Sequence, residues 1–410
     1  MSAMSAIKAE TTPYLEAFRA RKREGEPAWL SERRKAAAAR FAELGFPTRR
    51  QELWRFTNLA PLLQGDFPPN TVENRIEIEL AGKLPAGAWL GSVKEVLEER
   101  PDLLRAALDE AELAGAQPFV LLNAALFDDG FILAVEPGTT IEHPIEVTHW
   151  GEGGGSFHPR SIILLGKRSS ATVIEKFEGR GKSWTNSVSM ARLAANAHLQ
   201  HVTVQGSGPE AIHLGLARAE LAAGAHYDTF LLTLGARLSR ADVIATIAGE
   251  GARCSLAGAT LLRESQEATV ATFVDHAAPG GETREVFKSV VDDRAHGVFL
   301  GKIAVRPGAD KTDANQQSRN LLLSPRAAVD TKPELEILAD DVKCSHGATV
   351  GDLDANAVFY LRSRGIDEAA ARSMLIEAFA VDAIEGAVVA GPIRELLRRR
   401  VGAWLEQSGS

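Results

Sequence analysis

The chain has 410 residues, 45% of them hydrophobic, with a formal net charge of −8 and 2 cysteines. That length buries a large core in two or three parts, and the negative charge excludes a general nucleic-acid binder. Two cysteines exclude a disulfide framework and point to a reducing compartment, the cytoplasm; a start carrying Lys8, Glu10 and Glu16 is unlike a signal peptide, and no run of about 18 apolar residues is present to span a membrane.

Residues 1–117 read mainly as helix. Thr12-Pro13 opens an amphipathic segment, and the alanine-rich stretch Ser31–Phe41 is strong helix-forming material. A loop at Gly45-Phe46-Pro47-Thr48 leads to the aromatic Glu52-Leu53-Trp54-Arg55-Phe56-Thr57, and the spacing of Val96, Leu97, Leu103, Leu104 and Leu108 predicts helix from Val93 to Leu113. From Pro118 the texture changes. Phe119–Asn123, Phe131–Val135 and Ile145–Thr148 are short strand-like runs broken by Gly, Pro and Asp, and Gly151–Ser156 is a flexible loop.

A repeat follows. Arg192–Leu199 resembles Glu220–Tyr227 and, more loosely, Ile247–Cys254 and the stretch around Asp293–Gly297; the marker alanines Ala197, Ala225 and Ala252 are spaced by 28 and 27 residues. Strand, tight turn with small residues, strand, at a near-constant period, is the signature of stacked coils in a solenoid. A β-sandwich of meandering hairpins is the competing arrangement, because the next marker, Ala295, comes only after 43 residues. The repeat places His198, His226 and His296 at equivalent corners, most simply as hydrogen-bonded corner histidines, with a metal-binding ladder as the alternative; the third unit has Arg253 instead. These β runs complete a core domain of residues 118–350.

Helical periodicity returns in residues 351–410. Gly365 stops one helix, Asp367 caps the next, and Ala371, Met374, Leu375, Ala378 and Phe379 form its apolar stripe. Gly391-Pro392 opens a last amphipathic helix with Ile393, Leu396, Leu397, Val401 and Trp404 on one side. Arg394, Arg398, Arg399 and Arg400 on the other side are either a solvated face or a surface for an acidic partner.

Short motifs carry little chemistry. Gly181-Lys182-Ser183 lacks the earlier glycine of a phosphate loop and precedes no helix, and the glycine run at 151–155 leads to Phe157-His158-Pro159-Arg160 rather than to a helix. Asp275-His276 precedes a Pro279-Gly280-Gly281 turn that explains the segment structurally. Buried Asn and Gln between coils account for the polar run Lys311–Asn320. Cys254 reads as a buried small hydrophobe, with a second soft donor as its alternative role.

Cys344 and His346 stand out. In a strand a Cys-x-His spacing puts both side chains on one face, since side chains alternate with period two. A thiol beside an imidazole suits iron, zinc or copper. Two donors do not complete a site: either the others come from elsewhere or from a partner, or the pair is an isolated thiol near a satisfied histidine.

Ordered blocks carry a family resemblance. They are Gly45-x-Pro47, Glu52-x-Trp54-Arg55-Phe56-Thr57, Asp275-His276-x-x-Pro279-x-Gly281, Phe299–Ile303, Lys311–Ala314, Asn320–Ser324, Thr331–Ile337, Ala339–Gly351 and Phe359–Ile366. Dense over about residues 270–380 and looser before, they resemble the SufB/SufD family of the Suf iron–sulfur cluster assembly machinery. The match is to its SufD branch, because the SufB branch is richer in cysteine and carries a glutamate-containing version of the 344–349 stretch. Arg55 stands where the family pattern has lysine, which keeps the charge.

The resemblance implies a mainly β protein: a right-handed parallel β-helix core flanked by N-terminal and C-terminal helical regions. It implies a non-catalytic scaffold that pairs with SufB through the β-helix and binds the SufC ATPase through the C-terminal helices. Cys344 and His346 then match proposed ligands for transient iron or a nascent Fe–S cluster shared with SufB, with nothing tightly bound to the isolated chain. The family's complex binds reduced flavin, but no flavin motif is present here. Two other readings are a homodimeric β-helical structural protein without a metal role and a β-helical carbohydrate-active enzyme; the latter needs paired carboxylates and exposed aromatics.

Overall fold

The structure, a computed structural model, describes residues 12–21, 23, 25–69, 75–108, 117–387 and 391–406. Its centre is a parallel β-solenoid of about eight coils. Each coil contributes one strand to a 9-stranded sheet and one to a 10-stranded sheet, so that alternate strands in sequence are ladder neighbours. From Ile145 to Gly351 the ladder pairing within each sheet is parallel and in register. This excludes the β-sandwich.

The corners explain the repeat. Asn196, Gly224, Gly251, Gly280 and Lys311 all adopt left-handed backbone, with φ between 58° and 67°. Each donates its N–H to a carbonyl of the next coil, as Asn196 does to Ala223 and Gly224 to Glu250, both at 2.9 Å. Asn and Gly tolerate this conformation best. The marker residues Ala197, Ala225 and Ala252 follow these corners with almost no exposure, because only a small side chain fits where the chain turns into the lumen. Ala295 is equally buried but precedes a strand of the opposite sheet, which is why its spacing departs from the period. His198 and His226 are ladder neighbours, whereas His296 lies in the other sheet beside Glu267 and Ala328, so the three histidines do not form one column.

Both outer faces are covered by helices. On the 10-stranded sheet, helix α1 (Pro13–Ala20), capped by the Thr12 hydroxyl, and helix α2 (Ala28–Leu44) pack with Trp54 and Phe67 against Trp184, Ile212, Leu214 and Leu238. Trp54 anchors the aromatic motif: Phe119 lies 5.2 Å from its ring, and the Arg240 guanidinium sits 4.0 Å from the ring while bonding to the Leu53 carbonyl and Thr57 hydroxyl.

Three local expectations are corrected. The run Phe119–Asn123 is helix (Pro118–Leu126), not strand: Pro118 starts it, and it is buried throughout between α2 and the sheet, so no alternation in polarity marks its period. The helix expected from Val93 to Leu113 is two, Val93–Glu99 and Pro101–Ala107, divided where Pro101 removes a backbone donor; its last residues lie outside the described ones. Two strands, Arg75–Leu80 and Ala88–Ser92, occur within the N-terminal stretch and pair antiparallel with the first coils, closing that end of the solenoid.

On the 9-stranded sheet lie the helices Glu368–Ala387 and Gly391–Glu406. Asp367 caps the first, its carboxylate accepting from the Ala370 N–H, and the preceding helix Ala355–Ser363 ends before Gly365 at φ +87°. Ile393, Leu397, Val401 and Trp404 are buried as expected. The other stripe is displaced: Ala371 is buried, but Ile376, Ala380, Ala383 and Ile384 meet the sheet while Met374 is exposed. That helix is apolar on more than one side, so its periodicity does not select the buried face. Among the described residues no helix is long and apolar enough to cross a membrane.

Candidate functional site

The solenoid's C-terminal end is open. The last strands of the two sheets are Ala328–Ile337 and Lys343–Gly351, and neither carries a fully buried residue. Their outer edges differ. Ala328–Ile337 has Lys332, Glu334 and Glu336 along it and Pro333, which lacks the donor a further strand would need. Lys343–Gly351 carries one charged side chain, Lys343, and leaves its outer edge unpaired. Ile337, Leu338 and Val350 are 40%, 58% and 48% exposed around this end, more apolar surface than a finished solenoid cap shows.

Cys344 and His346 sit on that final strand. Their ladder partners are Ala314 and Gln316, both buried, so the two side chains belong to the lumen-facing columns with no further coil above them. Cys344 is half-buried against the lumen core, and His346 is exposed. Burial pushes the Cys344 thiol above its ordinary range; the Asp313 carboxylate adds to this and a backbone hydrogen bond at Ala314 opposes it. Metal ligation by such a thiol would require a cation to displace its proton. Cys254 lies three ladder steps deeper in the same column, with Thr283 and Ala314 between. Burial raises its thiol well above the ordinary value, and it acts as a core hydrophobe rather than a second donor. Among the described residues no group of three or more His, Cys, Asp or Glu side chains gathers as a metal site. The donor pair fits iron in type but supplies only part of a coordination shell.

The remaining sequence candidates are structural. His198 and His296 bond to Asp228 (2.8 Å) and Asp330 (2.7 Å). His276 is buried against the Thr283 hydroxyl at 2.8 Å, with burial lowering its pKa to about 4, and Asp275 pairs with Arg306. Lys182 faces Asp66 and the Phe67 ring. Of the terminal arginines, Arg394 and Arg398 pair with Glu385 and Arg400 pairs with Glu178, so most of that cluster is engaged within the chain.

Two lumen carboxylates escape sequence reasoning. Glu175 accepts from His201 Nε2 (2.9 Å), His149 Nε2 (3.2 Å), Ser189 (2.7 Å) and Ser161 (3.1 Å). Burial would raise its pKa, but the hydrogen bonds and charge of His149 and His201 outweigh burial and hold it well below the usual carboxylate range. Among the described residues Glu285 has only the Gln316 amide (2.8 Å) and the Thr272 hydroxyl (2.9 Å), and burial pushes it up to about 7. The one available signal was a charged residue at a lumen-parity position of a strand, which requires the register to be known.

The chain is similar to known proteins along most of its length. Residues 148–379 match the family model described as the SUF system FeS cluster assembly, SufBD core domain, and residues 8–82 and 75–147 match the SufBD protein N-terminal region. The iron–sulfur cluster assembly protein SufD of Escherichia coli is 30% identical over 87% of this chain and 88% of its own length. An iron–sulfur cluster assembly SufBD family protein of Synechocystis is 29% identical over 92% of each chain. A solenoid with an open end bearing a thiol–imidazole pair, matched along nearly its whole length to these proteins, belongs to the SufBD family of iron–sulfur cluster assembly proteins.

Proposed function

We propose that this chain is a non-catalytic scaffold subunit of a cytoplasmic Suf complex, pairing with a SufB-type paralogue through the open solenoid end. Cys344 and His346 supply part of the coordination shell for iron or a nascent cluster, which is cargo rather than a resident cofactor, and the paralogue supplies the rest. The observation that carries this reading is the position of both donors on the uncovered terminal strand, with no third donor gathered beside them among the described residues. The exposed apolar rim and the unpaired edge beside them suit a second β-solenoid.

The SufC-type ATPase is assigned to the C-terminal helices. Helix Ala355–Ser363 has no buried residue, and Phe359 and Tyr360 are 73% and 56% exposed on it, with Met374 also exposed on the next helix. Nucleotide hydrolysis belongs to that partner. A carbohydrate-active enzyme has no support from the comparisons, which match iron–sulfur cluster assembly proteins.

Co-expression with the paralogue and the ATPase tests the assignment. Both are expected to co-purify with this chain, and Cys344→Ala or His346→Ala is expected to impair cluster reconstitution in the complex while leaving its melting temperature unchanged. Normal reconstitution by both variants overturns the ligand reading.

A further inference from the structure

The column that ends at His346 continues inward through Gln316 and Glu285. Gln316 is fully buried, and its Nε2 is committed to Glu285 Oε2. The same Glu285 oxygen accepts the Thr272 hydroxyl, so the carboxyl is held from both sheets. Gly301 makes the seat: a Cβ there would stand 2.3 Å from Gln316 Nε2 and 2.8 Å from the Phe299 ring. With its nitrogen tied down, the amide presents an oxygen, Oε1, that is buried and has no hydrogen-bond partner among the described residues. Buried acceptors are seldom left so. The next side chain in that column is His346, which carries a ring N–H.

A metal-bound imidazole ligates through one nitrogen and ordinarily donates the other N–H to a carbonyl or carboxylate, which fixes its tautomer and orientation. We propose that Gln316, held by Glu285, is the positioning residue for His346, its Oε1 accepting the imidazole N–H when the other ring nitrogen binds metal. This rests on the reading of His346 as a ligand. Thr272 and Gly301 serve the same arrangement, one by fixing Glu285 and the other by leaving room for the amide.

The test is a zinc titration of the full chain with 15N-labelled histidine, following the His346 ring nitrogens by long-range 1H–15N NMR, which reads weak binding as well as tight. In the wild type one ring nitrogen is expected to shift on zinc addition while the other keeps its proton. Gln316→Leu is expected to weaken zinc binding at His346 by about 10- to 100-fold, the usual cost of losing such a partner. Gly301→Ala, which displaces the Gln316 amide while leaving every residue of the column unchanged, is expected to act in the same direction and covers a failure of Gln316→Leu to fold. The swap Glu285→Gln with Gln316→Glu lets the inner amide donate and the outer carboxylate accept, and is expected to restore both zinc binding and the wild-type His346 tautomer; recovery of the fold without recovery of that tautomer overturns the positioning role. Wild-type affinity and the wild-type tautomer in both Gln316→Leu and Gly301→Ala overturn the positioning role while leaving the ligand reading intact. A wild-type titration in which the His346 nitrogens do not move overturns both.

Discussion

Glu175→Gln isolates the contribution of one buried charge. The carboxylate accepts four hydrogen bonds, two on each oxygen: His201 and Ser189 on Oε1, His149 and Ser161 on Oε2. The amide has nearly the same shape but turns one oxygen into a donor, so the two groups on that side must reverse their roles. A serine hydroxyl can rotate to accept. His201 can move its proton to Nδ1, where the Tyr227 hydroxyl lies at 3.2 Å. What remains lost is charge assistance, with bonds to ionised groups contributing about 1.5–3 kcal/mol against about 1 kcal/mol for neutral ones. Over two such bonds, with some misfit, the expected destabilisation is about 2–4 kcal/mol at pH 7. Urea denaturation followed by tryptophan fluorescence measures it, with buried Trp184, on the strand that carries Ser189, as a reporter. The pH dependence is a second reading. A carboxyl held below its unfolded value contributes in full above about pH 4.3, the ordinary glutamate value, and loses that contribution as pH falls from there through its folded value. The stability gap between wild type and variant therefore narrows below about pH 4. A variant within about 0.5 kcal/mol of wild type at pH 7, or a gap that widens in acid, refutes the reasoning.

Trp54→Ala removes a nearly buried ring packed against Phe119 and Arg240, at a cost of about 3–5 kcal/mol confined to the docking of the N-terminal helices. Limited proteolysis is expected to cleave that region while the β signal in circular dichroism persists; unchanged protection contradicts the docking role. Gly130→Ala forces a side chain onto a residue at φ +143°, with its Cβ 1.7 Å from the Arg160 carbonyl oxygen. The backbone must shift, and a loss of at least about 3 kcal/mol is expected, read as a lowered melting temperature; an unchanged melt contradicts it.

Much of the fold was legible from period and turn chemistry. The Ala197, Ala225 and Ala252 corners announced stacked coils because a left-handed turn into a crowded lumen admits few residues, and those few recur. Amphipathic patterns located the last helix through Ile393, Leu397, Val401 and Trp404. Local polarity failed where burial is complete or two-sided. Pro118–Leu126 is enclosed on all sides and so shows no stripe, and the helix containing Met374 offers two apolar faces of which packing chose one. The likeness of His296 to His198 was equally misleading, since corners of opposite sheets use similar residues.

For the site, the sequence determined that Cys344 and His346 share a face, because side-chain alternation in a strand follows from backbone geometry alone. It also showed that two donors are too few. Only the tertiary structure decided that their strand is the last of its sheet, that Cys254 lies three steps below rather than beside them, and that Gln316 and Glu285 stand behind His346. Those neighbours come from successive coils, and the length of each coil sets which residues meet. A shift of one residue in any corner would put a different side chain behind the imidazole.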